Sequence, residues 1–189
     1  MLYDWNIRQF FEKLVPAHEL DLFLRDVVTL EWHAQHDIGR PFAETSVELT
    51  ASYPRFANAI AAFGPRFSET VTGLLPGMDG IVRALHARGV PLYAITNFSH
   101  EFWLPFRDQE AAIFDLFDDI VVSGEERLLK PDRAIYELAL KRFGLAGEEA
   151  IFIDDREDNV RGAEAVGIRG HLFRSAGPLE AELKELGLL

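Results

Sequence analysis

Two short apolar runs limit what this chain can fold into. Leu92-Tyr93-Ala94-Ile95 runs into Thr96-Asn97, and Ile151-Phe152-Ile153 runs into Asp154-Asp155. Between them stands a lone lysine in Lys130-Pro131. Apolar runs of this length, bounded by polar residues and followed by helical patterns, read as buried strands of a parallel sheet. In such a sheet the polar groups at the carboxyl ends of neighbouring strands converge on one crevice, where ligands bind. Thr96, Asn97, Lys130, Asp154 and Asp155 are therefore expected in one place.

The pattern upstream is different. Residues 6–72 read as helical, without a convincing strand. Ile7, Phe10, Phe11 and Leu14 keep the i, i+3, i+4, i+7 spacing of one helix face. Leu20, Phe23, Leu24, Val27, Val28 and Leu30 continue such a face, as do Phe56, Ile60 and Phe63 before Gly64-Pro65. From Gly73 onward, strands alternate with helices of about ten residues, which implies a parallel sheet with right-handed crossovers. Helices are expected at 78–88, after Thr96-Asn97, at 132–143, 157–166 and 178–187. Strands are expected at 92–95, 120–123, 151–153 and 170–173. Pro105 should kink or end the helix that contains it. The fold class is α/β, with residues 6–72 as a helical subdomain and 73–189 as the α/β core.

Composition excludes several functions. The chain has 189 residues, 48% of them hydrophobic, enough for a sizeable core in one domain with an inserted subdomain. It has no cysteine, which removes disulfides and thiolate metal sites and fits a reducing, cytoplasmic setting. No apolar run approaches the roughly 20 residues of a membrane span. A net charge of −12 argues against nonspecific binding to nucleic acid or anionic membranes. An anionic substrate would then need local positive charge, from a lysine and a cation.

The residue types in the crevice supply that. Adjacent carboxylates stay ionised in a buried site only beside a cation, and oxygen ligands suit Mg²⁺. The bland alternative for Asp154 is an N-cap on the following helix. Asn159, one turn onward, either completes the metal shell or holds Asp155 through its amide. Thr96-Asn97 offers a hydroxyl and free backbone N–H groups at a helix start, suited to a phosphate oxygen. Lys130 can neutralise a phosphoryl oxygen and a carboxylate nucleophile. His33 and His36 have a spacing that zinc can use, but no third ligand is evident, so they read as a solvated helix face. His100, Phe102 and Trp103 follow the Thr96 loop and could border a pocket.

In this order, Thr96-Asn97, Lys130-Pro131, then Asp154-Asp155 with Asn159, the chain resembles the haloacid dehalogenase superfamily of aspartate-nucleophile hydrolases. The resemblance covers nearly the whole chain. It implies a Rossmann-like core, and it makes residues 6–72 a helical cap inserted after the first strand. In that superfamily the first, central strand ends in Asp-x-Asp or Asp-x-Gly and supplies the nucleophile. Leu2-Tyr3-Asp4-Trp5-Asn6 resembles the stretch just after it, so the nucleophile is expected upstream of Met1. An acidic pair in the fourth motif favours Mg²⁺-dependent phosphatases over the metal-independent 2-haloacid dehalogenases. The resemblance thus implies hydrolysis of a small phosphorylated metabolite through an aspartyl-phosphate. Thr96, Lys130 and Asp155 would be catalytic, Thr96, Asn97 and Lys130 would hold substrate, and Asp154, Asp155 and Asn159 would hold Mg²⁺. A 2-haloacid dehalogenase, or an inactive short form that binds a ligand or partner, is the alternative. The aromatic-rich cap leaves room for a homodimer.

Overall fold

The structure is a computed structural model that describes residues 2–189. Its first third is helical: α1 (Ile7–Phe11), α2 (Ala17–Asp26), α3 (Leu30–Asp37), α4 (Phe42–Ser52) and α5 (Ala57–Phe63). These helices leave and return through a two-stranded antiparallel ribbon of β1 (Tyr3–Trp5) and β2 (Val71–Leu74), with Tyr3 opposite Leu74 and Trp5 opposite Val71. The expectation of helix throughout 6–72 therefore fails at its end, where Val71 and Thr72 lie in β2. Strands of three and four residues containing Asp, Trp and Gly are too short to show a period of two.

The helices are held by an aromatic core. Phe10, Phe11, Phe23, Ile60 and Phe63 are fully buried together. The ring of Phe63 stacks on Phe11 at 5.8 Å and meets Phe102 edge-on at 6.0 Å. Phe102 belongs to α7 (His100–Gln109), so this core extends into the α/β part. Helix α7 continues through Pro105 rather than ending there. Burial of Phe102, Trp103 and Phe106 offsets the one backbone bond that proline cannot make.

The remainder alternates as expected: α6 (Met78–Ala87), β3 (Tyr93–Thr96), α7, α8 (Ala111–Phe114), β4 (Asp119–Val122), α9 (Ser123–Glu126), α10 (Arg133–Phe143), β5 (Ile151–Asp154), α11 (Glu157–Glu164), β6 (Arg169–Leu172) and α12 (Ala176–Glu185). Strand β3 pairs in parallel with β4, and β5 with β6. Both pairs lie on one helical layer. Ile95, Val121 and Phe152 pack with Ile135, Tyr136 and Ala139 of α10 and Ala163 of α11. The other face of β5 sends Ile151 and Ile153 against α6 and α12. Yet β3 and β5 do not pair with each other, so each has an edge without a sheet partner among the described residues. Their apolar residues are only half-buried, whereas Val121 and Val122 of β4 are fully buried. Between β3 and β5 the described residues supply no strand.

His33 and His36 do not form a solvated face. His36 is fully buried, and the His33 ring stacks flat on Phe67 at 5.8 Å. As neutral rings they pack like the phenylalanines around them, which a periodicity count that scores histidine as polar misses. Burial pushes His33 down to about 4. His36 also falls to about 4, through burial first and then the charges of His33 and Arg40. Burial pushes Asp37 up to about 7, and its carboxylate stands 3.8 Å from His33 Nε2, too far for a hydrogen bond.

The two shifts act in opposite directions on stability. Between roughly pH 4 and 7 the folded chain keeps a proton on Asp37 that the unfolded chain releases. That contribution is lost as pH rises through about 7. The histidine contribution is complete above the ordinary value of 6.5 and is lost as pH falls toward about 4. Asp37→Asn should therefore remove the decline that Asp37 imposes between about pH 4 and 7, so that stability rises more steeply with pH across that window, and leave the slope above pH 7 unchanged. At pH 8 the gain over the parent should be on the order of 1–2 kcal/mol in thermal unfolding followed against pH.

Candidate active site

The carboxyl ends of β3 and β5 are joined by side chains rather than by sheet bonds. Asn97, just past β3, clasps the lysine turn from both sides. Its Nδ2 donates to Lys130 O at 3.0 Å, and Lys130 N donates to its Oδ1 at 2.9 Å. This two-bond clasp fixes the Lys130 backbone, and the Lys130 side chain then reaches the end of β5. There Nζ donates to Asp154 Oδ2 at 2.8 Å, over the Phe152 ring at 5.4 Å. Both partners are buried, with side chains 10% and 4% exposed.

Asp154 is held on its other oxygen too. Oδ1 accepts from the backbone N of Arg156 at 3.0 Å and from Asn159 Nδ2 at 2.9 Å. Burial alone would raise this carboxyl. The charge and hydrogen bond of Lys130, the Arg156 N–H and the Asn159 amide outweigh it, so Asp154 sits below its ordinary value. Asp154 does not cap α11, whose N-cap is Arg156. Asn159 turns its amide to Asp154 rather than to Asp155, because it lies on the buried side of the first turn of α11.

Thr96 ends β3 half-buried beside this clasp, and Asp155 follows Asp154 on the exposed rim. Of the residues that the pattern singled out, Asn97, Lys130, Asp154 and Asn159 are joined here by hydrogen bonds. The pattern missed those that support them. Tyr136 of α10 donates its hydroxyl to Asn159 O at 2.7 Å. Gly162 brings α11 so close that a Cβ would lie 2.6 Å from Pro131 O. A buried tyrosine oriented by burial, and a glycine required by helix contact, leave no spacing signal. His100 lies elsewhere, lining a crevice of about 380 Å³ with Gly39, Arg40, Ser99 and Gly124. Trp103 packs edge-on to Phe114 at 5.0 Å. Asp4, the first acidic residue of the chain, is tied on the exposed ribbon to the Thr72 hydroxyl at 2.6 Å.

The donors fit Mg²⁺ in kind. Two adjacent carboxylates and a buried amide oxygen, Asn159 Oδ1, which has no hydrogen-bond partner among the described residues, are hard oxygen ligands. No group of three His, Cys, Asp or Glu that could hold a metal occurs among the described residues. Mg²⁺ commonly completes its shell with waters and substrate oxygens, so a two-carboxylate site suits it.

Residues 22–167 match the family model of haloacid dehalogenase-like hydrolases. The chain belongs to this family. It is 30% identical to the sesquiterpene phosphatase astK of Aspergillus oryzae, over 98% of this chain and 91% of that protein. It is 31% identical to mouse acyl-CoA dehydrogenase family member 10, over 88% of this chain but 14% of that longer protein. The HAD family enzyme BT-2542 of Bacteroides thetaiotaomicron has the same fold, with a TM-score of 0.73 at 16% identity over 96% of this chain and 93% of that one. Its complex with magnesium and inorganic phosphate superposes with a TM-score of 0.67. No helix among the described residues is long and apolar enough to cross a membrane.

Removing one partner of a buried ion pair strands the other. Lys130→Ala should therefore cost about 3–5 kcal/mol in chemical denaturation at pH 7. The loss should shrink on acidification through the carboxylate range, because an unpaired Asp154 takes up a proton there more readily than the paired one does.

Proposed function

We propose that this hydrolase is a Mg²⁺-dependent phosphatase of small phosphomonoesters, acting in the cytoplasm through an aspartyl-phosphate. The observation that carries the reading is the buried Lys130–Asp154 pair, clasped by Asn97 at the mouths of β3 and β5, two strands that do not pair with each other. A cationic group fixed between two carboxyl strand ends is where a transferring phosphoryl group needs opposing charge. The similarity to a protein named as a sesquiterpene phosphatase, and to a structure holding magnesium and phosphate, supports this reading.

Each residue then has a task. Thr96 and the N–H of Asn97 hold phosphoryl oxygens, and Lys130 neutralises their charge; the next N–H, of Phe98, is already given to Ser123 Oγ. Asn97 keeps Lys130 in register. Asp154 and Asp155, with Asn159, would hold Mg²⁺, which when bound offsets the negative charge on the transferring group. The nucleophilic carboxylate that this mechanism needs would stand between the ends of β3 and β5, which do not pair with each other. It would attack phosphorus, and the ester P–O bond would break as the leaving oxygen takes a proton. Water then cleaves the acyl phosphate, releasing inorganic phosphate and restoring the carboxylate. The helical segment would close over the site as a cap and select the leaving group.

The test is release of inorganic phosphate by the protein purified from its own cells. A panel of aryl, prenyl and sugar phosphates would be assayed with Mg²⁺ and with chelator. Turnover that requires Mg²⁺ is expected, and Asp155→Asn should lower kcat/KM by ~10²–10³-fold. Halide release from a 2-haloacid without any phosphate release would overturn the reading.

A further inference from the structure

We propose that Ser123 is a positioning residue that couples the docking of the helical segment to the shape of the Thr96–Phe98 loop. The proposal rests on the reading of that loop as the phosphoryl-binding loop. Ser123 is fully buried at the end of β4 and is bonded in two directions. Its Oγ accepts from Phe98 N at 2.9 Å, one residue beyond Asn97. The same Oγ donates to the carbonyl of Asp37 at 2.6 Å, the last residue of α3. That carbonyl is one of those a helix end leaves without an internal partner. One hydroxyl thus caps the helical segment and pins the loop.

The surroundings make this contact close and specific. Gly124 N donates to Phe98 O at 3.1 Å, so both polar groups of Phe98 are held from this turn. A Cβ on Gly124 would lie 2.4 Å from His100 N and 2.8 Å from Phe98 O. Gly39, with φ +87°, brings the loop after α3 so near that a Cβ would stand 2.9 Å from Gly124 O. On the far side of that loop, Glu101 of α7 accepts from Phe42 N at 2.9 Å, at the start of α4. The segment's loop 38–41 is thus clamped between two side chains of the α/β part.

The hydroxyl also has a second acceptor. A serine has one proton to give. With Asp37 O in place the proton goes there; without it, Phe98 O lies 3.4 Å away. Undocking the segment frees the proton to turn onto the loop itself, changing the field at Phe98. The boundary next to this contact is an open polar crevice, lined by Gly39, Arg40, Ser99, His100 and Gly124, rather than packed side chains. Loop 38–41 can therefore lift from Ser123 without opening the aromatic core.

Amide hydrogen exchange read residue by residue tests this, without any ligand. In Ser123→Ala the amides of Phe98 and of residues 38–42 should both exchange ~3- to 10-fold faster, the size of one lost hydrogen bond. Amides of α10 and α11 should keep their rates. Gly39→Ala displaces the segment's loop while leaving Ser123 and Phe98 chemically intact. It should quicken exchange at Phe98 as well as at 38–42. If Gly39→Ala quickens 38–42 and leaves Phe98 at the parent rate, the coupling is overturned. Inorganic phosphate with Mg²⁺, added to the unmodified protein, should slow exchange at both places together; slowing at Phe98 alone also overturns the proposal. A coupled response in the variants with no protection by phosphate upholds the coupling and counts against the phosphatase reading.

Discussion

Everything at the mouth of the α/β part depends on one buried ion pair. Withdrawing a lysine and a carboxylate from water costs several kcal/mol per ion, and their attraction repays it only if the remaining polar atoms are also satisfied. Asp154 meets that condition with a backbone N–H and an amide besides Lys130. The Lys130 ammonium gives one N–H to Asp154 and lies over the Phe152 ring, on a backbone held from Asn97. The pair therefore demands that β3, the lysine turn, β5 and the first turn of α11 be mutually in place. Geometry useful for chemistry is here the same geometry that makes the burial tolerable.

The helical segment follows a different logic. Its centre is a set of stacked and edge-on rings in which His33 and His36 pack as neutral aromatic rings, His36 keeping one hydrogen bond between Nε2 and Thr45 Oγ1 at 2.7 Å. Keeping them neutral avoids a far larger desolvation penalty than the lost hydrogen bonds impose. Phe102 and Phe98 extend that ring cluster into the α/β part, so the segment and the α/β part share an apolar boundary. Beside it, Ser123 and Glu101 add polar contacts to the two helix ends that face the core.

Much of this was legible in the sequence because strand ends and polar termini leave a linear signature. Ile95-Thr96-Asn97 and Ile153-Asp154-Asp155 pointed to one crevice, and Asn97 and Asp154 are linked there through Lys130, since a buried strand that stops at a carboxylate must bring that charge to a partner or to water. The alternation after Gly73 marked the strands and the longer helices to within a residue or two, and missed the four-residue helices α8 and α9. What the pattern could not show depends on pairing across distance. The β1–β2 ribbon joins residues 3–5 to 71–74 with no periodicity of its own. Gly162 and Gly124 matter for what approaches them, and a glycine in isolation does not say what that is. Ser123 resembles any strand-ending serine until its two partners, one on either side of the chain's main division, are seen.

The ribbon has one more consequence. Strands β1 and β2 are hydrogen-bonded neighbours, so the polypeptide departs for some sixty residues and comes back one strand spacing from where it left. To the α/β part, the whole excursion is equivalent to a hairpin turn. Closing a loop costs little more as it lengthens, because the entropy grows only with the logarithm of its length. Selection could thus exchange, enlarge or reshape the helices between Trp5 and Val71 while the paired lysine and aspartate keep their places. One hydrolytic core could in this way serve many different substrates.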